Sequence, residues 1–307
     1  MELVLQGENK MKLICDVSSV AETKKITKLP GVGILLVKID FLSLDVNGNL
    51  EIQNVEKIVD YAHKHFIMVG VYSERLFHED DLVYIKMILK NDLFKKIDYF
   101  FYSDMGMYEI LIENGFSEKT VYYAPTYMTN YCDVSLYQKF NNYVVISNEI
   151  TSDEVIEIIN NSNDHVIVEA FGMACCFYSK RPLVTNYLKF KGLKTKDING
   201  KLASLKEETR DNYYHLVEDQ NGVRIFEENH YYLAKELDNM KKVPYIMVHN
   251  LNISKQDYYN VVSLYNSYVT EEIDSAALET KLKNLKFTLY KGAYDNKTIL
   301  LKKEVKL

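Results

Sequence analysis

Tryptophan is absent from the 307 residues, and proline (4), glycine (12) and cysteine (4) are scarce. So little Gly and Pro excludes a collagen-like or low-complexity chain. The cysteines, Cys15, Cys132 and the adjacent Cys175 and Cys176, are too few and too scattered for a disulfide framework, so reduced thiols are expected. An excess of basic charge is missing as well: 43 acidic against 37 basic side chains give a net charge of −6, which makes a polyanion no default partner, although a local basic face is compatible with it. No stretch approaches the roughly 20 apolar residues of a membrane-spanning helix. Met1 to Lys12 carries Glu2 and Glu8 where a signal peptide needs a basic start and an apolar run. These absences lead to the expectation of a folded cytoplasmic protein with reduced thiols and no membrane partner.

Short runs rich in Val, Ile, Phe and Tyr are plentiful, and they alternate with helical patterns. Lys12 to Val17, Val32 to Ile39, Phe66 to Tyr72, Ile97 to Tyr102, Thr120 to Ala124, Tyr143 to Ser147 and His165 to Phe171 read as buried strands, and Val243 to His249 as an eighth. Between them, Ile52, Val55, Ile58, Val59 and Ala62 are spaced for one apolar helix face, as are Leu82, Ile85, Met87, Ile88 and Leu89. A third helix starts at Ser152 behind the capping residues Thr151 and Ser152, with Glu154 in its first turn. This rhythm predicts a TIM-barrel-like (β/α)8 α/β fold over residues 1–280, with a small basic β extension over 281–307. The rhythm breaks at about residues 189–230. Lys189, Lys191, Lys194, Lys196, Lys201 and Lys206 read as a solvated connection, and the runs around Asp219-Gln220-Asn221-Gly222 as an inserted β-hairpin before the last strand. A further hairpin is expected around Tyr294-Asp295-Asn296.

In a parallel barrel the reactive groups collect at the carboxyl ends of the strands. Asp16, Asp40, the Ser73-Glu74-Arg75 group with His78, Ser103 and Asp104, Thr126, Thr129 and Asn130, Asn148 and Glu149, and Glu169 all stand just after predicted strands. Many such residues serve only as helix caps. Arg75 and Arg181 are candidates to clamp a carboxylate or phosphate, with Glu149, Glu169 and Asn130 orienting the ligand. The alternative is an internal ion pair, Arg181 with Glu169 or Arg75 with Glu79. No thiol nucleophile is tied to a His by a recognisable spacing, and no His-Glu-x-x-His metal motif occurs. The Tyr pairs, for example Tyr122-Tyr123 and Tyr231-Tyr232, fit core packing better than base stacking.

The densest segment is Glu169 to Leu188. Glu169, Gly172 and Cys175, followed by Tyr178, Ser179 and Arg181, resemble the signature region of the U32 peptidase family, a collagenase-like bacterial group. Arg75 to Leu82, Asp98 to Asp104, Ala124 to Asn130, Ser147 to Glu149 and the hairpin Glu218 to Phe226 fit the same resemblance in order, over about residues 12–250. The resemblance implies a peptidase, with Glu169, Cys175, Tyr178 and Ser179 as its catalytic positions and Arg75, His78, Asp104, Asn130, Glu149 and Arg181 as ligand-binding ones. The alternative it implies is a cluster-free role in RNA or small-molecule modification, because some relatives serve in hydroxylation, there with cysteine-bound four-iron four-sulfur clusters. Here Pro182 stands where those relatives carry a second Cys, and no Cys follows Cys176, so no cofactor is expected. A third reading is a non-catalytic binding or partner subunit. The expected partners are a small anionic ligand or a peptide, with RNA or protein contacts through the Lys-rich stretches 180–206 and 281–307.

Overall fold

The computed structural model describes residues 10–43, 50–124, 126–193, 200–206, 208 and 213–295. Seven strands, β1 (Lys12–Asp16), β2 (Val32–Lys38), β3 (Met68–Ser73), β4 (Tyr99–Tyr102), β5 (Thr120–Tyr122), β6 (Tyr143–Val145) and β7 (Val166–Gly172), pair in parallel in chain order. They are followed by β8 (Cys175–Ser179), β9 (Lys201–Lys206), β10 (Tyr213–Asp219), β11 (Gly222–Phe226), β12 (His230–Tyr232) and β13 (Tyr245–Val248). Strand β13 pairs in parallel with both β7 and β1, which closes an eight-stranded parallel barrel. Helices α1 (Val20–Ile26), α2 (Ile52–His63), α3 (Glu79–Ile88), α4 (Asp92–Lys96), α5 (Met105–Glu113), α6 (Tyr131–Tyr137) and α7 (Ser152–Asn161) fall between the first seven strands. Helix α8 (Leu183–Phe190) lies in the insertion, and α9 (Lys255–Val269) and α10 (Ser275–Lys283) follow the closing strand. This is the expected (β/α)8 architecture.

The strands are apolar on both faces because each separates two cores. In β1, Leu13 and Cys15 pack outward against the helices, whereas Ile14 joins Ile34, Leu36, Phe101, Val121, Val145, Ile167 and Met247 inside the barrel. Tyr99, Tyr143 and Tyr245 flank this inner core, in edge-to-face contact at 5.7 and 5.5 Å. Toward the carboxyl ends the inward positions turn polar: Asp16, Lys38, Tyr72, Tyr123, Glu169 and His249. The helices bury the stripes their periodicity requires, Val55, Ile58, Val59 and Ala62 on α2, and Val155, Ile158 and Ile159 on α7. Helix α7 starts with a capping box between Thr151 and Glu154. On α3 only Ile85 is fully buried, and Met87 is exposed.

The insertion departs from the sequence expectation. The hairpin β10–β11 forms as anticipated, with Asp219 opposite Gly222, but it belongs to a separate antiparallel sheet of order β8-β11-β10-β9. The solvated connection therefore contains an exposed edge strand, Lys201–Lys206, and the signature segment contains strand β8. Gly222 adopts a φ of +129°, and a Cβ there would overlap the Ser179 carbonyl oxygen, so this turn requires glycine. In the tail, β14 (Leu289–Tyr290) pairs in parallel with β12, and the expected hairpin around Tyr294 extends past the described residues. Among the described residues no helix is long and apolar enough to cross a membrane.

Candidate functional site

The polar layer at the carboxyl ends of the strands is one connected network. The Tyr72 hydroxyl donates to Asp16 Oδ1 at 2.8 Å and lies 3.0 Å from Nδ1 of His249. On the far side of the ring, His249 Nε2 lies 2.9 Å from Glu169 Oε1. The same carboxylate accepts from the Tyr123 hydroxyl at 2.8 Å and, on Oε2, from Asn148 Nδ2 at 2.6 Å. Asp16 Oδ2 accepts from the Asn250 backbone N–H at 3.1 Å and stands 3.4 Å from His249 Nδ1. With its proton given to Asp16, Tyr72 is left as an acceptor, and both imidazole nitrogens therefore face acceptors. That arrangement fits the doubly protonated ring.

Electrostatics agree with the geometry. Burial would push the His249 pKa down, but Asp16 and Glu169 outweigh it and lift it to about 10. Burial likewise pushes Asp16 up, yet the His249 charge and hydrogen bond, with Lys38, hold it below the usual carboxylate value. Tyr72 and Tyr123 are pushed well above the ordinary phenol value by burial and by the carboxylates they contact, so they stay hydroxyl donors. The Asp16–His249–Glu169 chain is a buried imidazolium held between two carboxylates, with no basic nitrogen lone pair left at neutral pH.

Above this network lies a cavity of about 60 Å³, lined by Asp16, Lys38, Glu74, Glu169, Cys175, Arg224 and His249 among others. At roughly 10–15 Å³ per water it holds a few waters or one small polar group. Its roof comes from the insertion. Arg224 on β11 donates to Glu74 Oε1 at 3.2 Å and to the Glu74 carbonyl at 3.1 Å, and stacks on Tyr178 at 5.1 Å. The buried Arg224 Nε and Glu74 Oε2 have no hydrogen-bond partner among the described residues, leaving a donor and an acceptor for a small ligand or water. Lys38 lies 5.5 Å from the Tyr72 ring and has no ion-pair partner among the described residues. Burial raises the pKa of Cys175, which Arg224 only partly opposes, and raises Cys176 to about 12, so both are thiols at neutral pH.

The sequence candidates take several different places in the structure. Glu169 is the network's centre, 2% exposed, and Cys175 lines the cavity. Tyr178 and Ser179 support the roof: the Tyr178 hydroxyl accepts from Leu76 N–H and donates to the Asn221 carbonyl, while Ser179 Oγ accepts from Arg181 N–H. Asp104, Asn130 and His78 are helix N-caps, of α5, α6 and α3. Arg75 is buried between the rings of Phe41 and Phe77, paired with Asp81 at 2.9 Å instead of Glu79, and donates to the Phe41 carbonyl at 2.7 Å. Glu149 is half-buried with a raised pKa, from burial and from Glu227. Arg181 is exposed beyond β8, and Glu169 pairs with His249, not with Arg181. His249, Tyr72, Tyr123, Lys38 and Arg224 were not anticipated. His249 follows the eighth strand as directly as Asp16 ends the first, so the strand-end rule applied to β13 would have found it.

The cysteines do not form a four-thiolate set. Cys15 is wholly buried in the outer core, Cys132 is exposed at the start of α6, and Cys175 and Cys176 are neighbours on β8. Among the described residues no group of three or more His, Cys, Asp or Glu side chains is placed to hold a metal ion. The residues present do not fit a cysteine-bound cluster.

The family model of peptidase family U32 matches residues 43–295. The chain belongs to the U32 family. This U32 chain is 28% identical over 202 residues to tRNA hydroxylation protein P2 of Bacillus subtilis (strain 168), an alignment that covers 64% of this chain and 65% of that relative's length. Among solved structures it resembles the U32 peptidase Mk0906, with a TM-score of 0.52, 12% identity, and coverage of 81% of this chain and 96% of the other. At that identity the likeness shows the U32 barrel alone.

Proposed function

We propose that this chain acts in tRNA hydroxylation in the cytoplasm, binding a small polar or anionic group in its cavity, and that it does not cleave peptides. The observation that carries the choice is the Asp16–His249–Glu169 chain. Its imidazole is fully committed to two carboxylates, so the cavity offers neither a thiolate nor a free imidazole to activate a nucleophile. The similarity to a tRNA hydroxylation protein supports the process. The reading needs no cluster in this chain: Lys38, Arg224 and the unpartnered Glu74 oxygen hold and orient a ligand while Tyr72 and Tyr123 keep their protons. Nucleosides digested from the tRNA of a host strain lacking this chain, read by mass spectrometry, test it. A hydroxylated nucleoside should disappear, return with the wild-type chain, and fail to return with His249→Leu. An unchanged nucleoside profile, together with peptide cleavage by the purified protein, would overturn it.

A further inference from the structure

The insertion carries a surface the cavity does not use. Helix α8 has no fully buried residue, although its half-buried Val184 and Leu188 lie on one stripe. The next stripe, Leu183, Tyr187 and Phe190 at i, i+4 and i+7, faces solvent, with Tyr187 57% and Phe190 84% exposed. Lys191 Nζ lies 5.8 Å from the Tyr187 ring and 6.0 Å from the Phe190 ring. The pattern recurs on the edge of the insertion sheet, where Lys206 Nζ lies 5.3 Å from the ring of the exposed Tyr213. The helix N-terminus is already occupied: Glu218 accepts from the N–H groups of Val184 and Thr185 at 2.7 and 3.0 Å.

Charge leans basic here. In a chain of net charge −6, residues 170–226 contain ten Lys or Arg against six Asp or Glu, and residues 170–193, which include α8, contain Lys180, Arg181, Lys189 and Lys191 and no Asp or Glu. Lys180 is tied to Asp81, and Arg181, Lys189, Lys191 and Lys206 are exposed. Protein interfaces are depleted of lysine at their cores, whereas exposed aromatic rings beside lysines are what stacking of unpaired bases with phosphate contacts requires. The insertion also supplies the cavity's roof through Cys175 and Arg224, and α8 packs against β11, the strand that carries Arg224.

We propose that α8 and the neighbouring edge of the insertion bind a single-stranded segment of tRNA, with Tyr187 and Phe190 stacking on bases and Lys189 and Lys191 contacting phosphates. This deepens the tRNA reading above and rests on it. The test is fluorescence anisotropy of an unmodified tRNA transcript with the full chain at two salt concentrations, beside the nucleoside assay. Lys189→Glu/Lys191→Glu should weaken binding at least tenfold and flatten its salt dependence, since each lost phosphate contact removes about 0.7 from the slope of log affinity against log salt. Phe190→Ala should weaken binding about fivefold or more with little change in that slope. All these side chains are exposed, so melting temperatures should stay at the wild-type value. Equal binding by wild type and variants overturns the surface assignment, even if deletion of the chain abolishes hydroxylation. Absence of wild-type binding overturns it too, as does loss of a stoichiometric protein partner by the same variants while tRNA binding persists.

Discussion

At the scale of the residue, the consequential choice is a histidine placed between two carboxylates. Its contribution to stability has a defined pH window. In the unfolded chain the imidazole titrates near 6.5 and in the fold at about 10, so the stabilisation is complete below about pH 6.5 and is lost as pH rises toward 10. Asp16 works from the other side: its lowered pKa contributes above the ordinary value of 3.8 and is lost on acidification. Wild-type unfolding free energy should therefore fall between pH 7 and pH 10, by an amount on the order of a few kcal/mol, and the melting temperature with it. His249→Leu leaves two buried carboxylates facing each other without a cation and should cost about 3–5 kcal/mol at pH 7. The variant's melting temperature should then be nearly flat over the alkaline range. A wild-type curve that is flat there would show that His249 is neutral in the fold.

At the scale of the element, the barrel strands were readable because each is apolar on both faces, which only a doubly covered parallel sheet demands. Helix α2 was readable from its apolar stripe and α7 from its capping residues. Strands β8 and β9 were not, for physical reasons: β8 is five residues of mixed polarity beside Pro182, and β9 lies in Lys-rich sequence with almost no side chain buried, so neither carries a period-2 signal. Glu169 and Cys175 were legible by position and by resemblance. Arg224 was not, because it reaches the cavity from a hairpin whose docking depends on the unrecognised β8. That docking depends in turn on Gly222, next to Ser179. Gly222→Ala should loosen the β8–β11 pairing and cost about 1–3 kcal/mol. Hydrogen exchange should speed up at Val223 to Phe226 and leave β1 to β7 protected. Faster exchange throughout the barrel would mean that roof and barrel unfold as one unit.

At the scale of the whole molecule, the four thiols are distributed over the outer core, a helix start and the roof, and a cysteine-bound cluster such as some relatives carry has no common place among them. Protein purified without air should contain iron and acid-labile sulfide far below one cluster per chain, before and after attempted reconstitution, and chelators should leave its melting temperature unchanged. A near-stoichiometric cluster with its visible absorption band would refute this and bring redox chemistry into the chain. The shape of the charge distribution belongs to this scale too. An acidic body carrying a net basic insertion would steer the proposed tRNA ligand toward one end of the barrel before any contact forms.

The late position of β13 has a consequence for the chain as it leaves the ribosome. Strands β1 and β7 both wait for Tyr245–Val248 to pair with them, so a nascent chain of some 230 residues presents two open sheet edges. Over the same interval Asp16 and Glu169 are already made while His249 is not. Arrival of one strand thus joins both edges and brings the cation that makes the barrel's interior electrically acceptable, so closure of the barrel and charge balance at its site come in a single step.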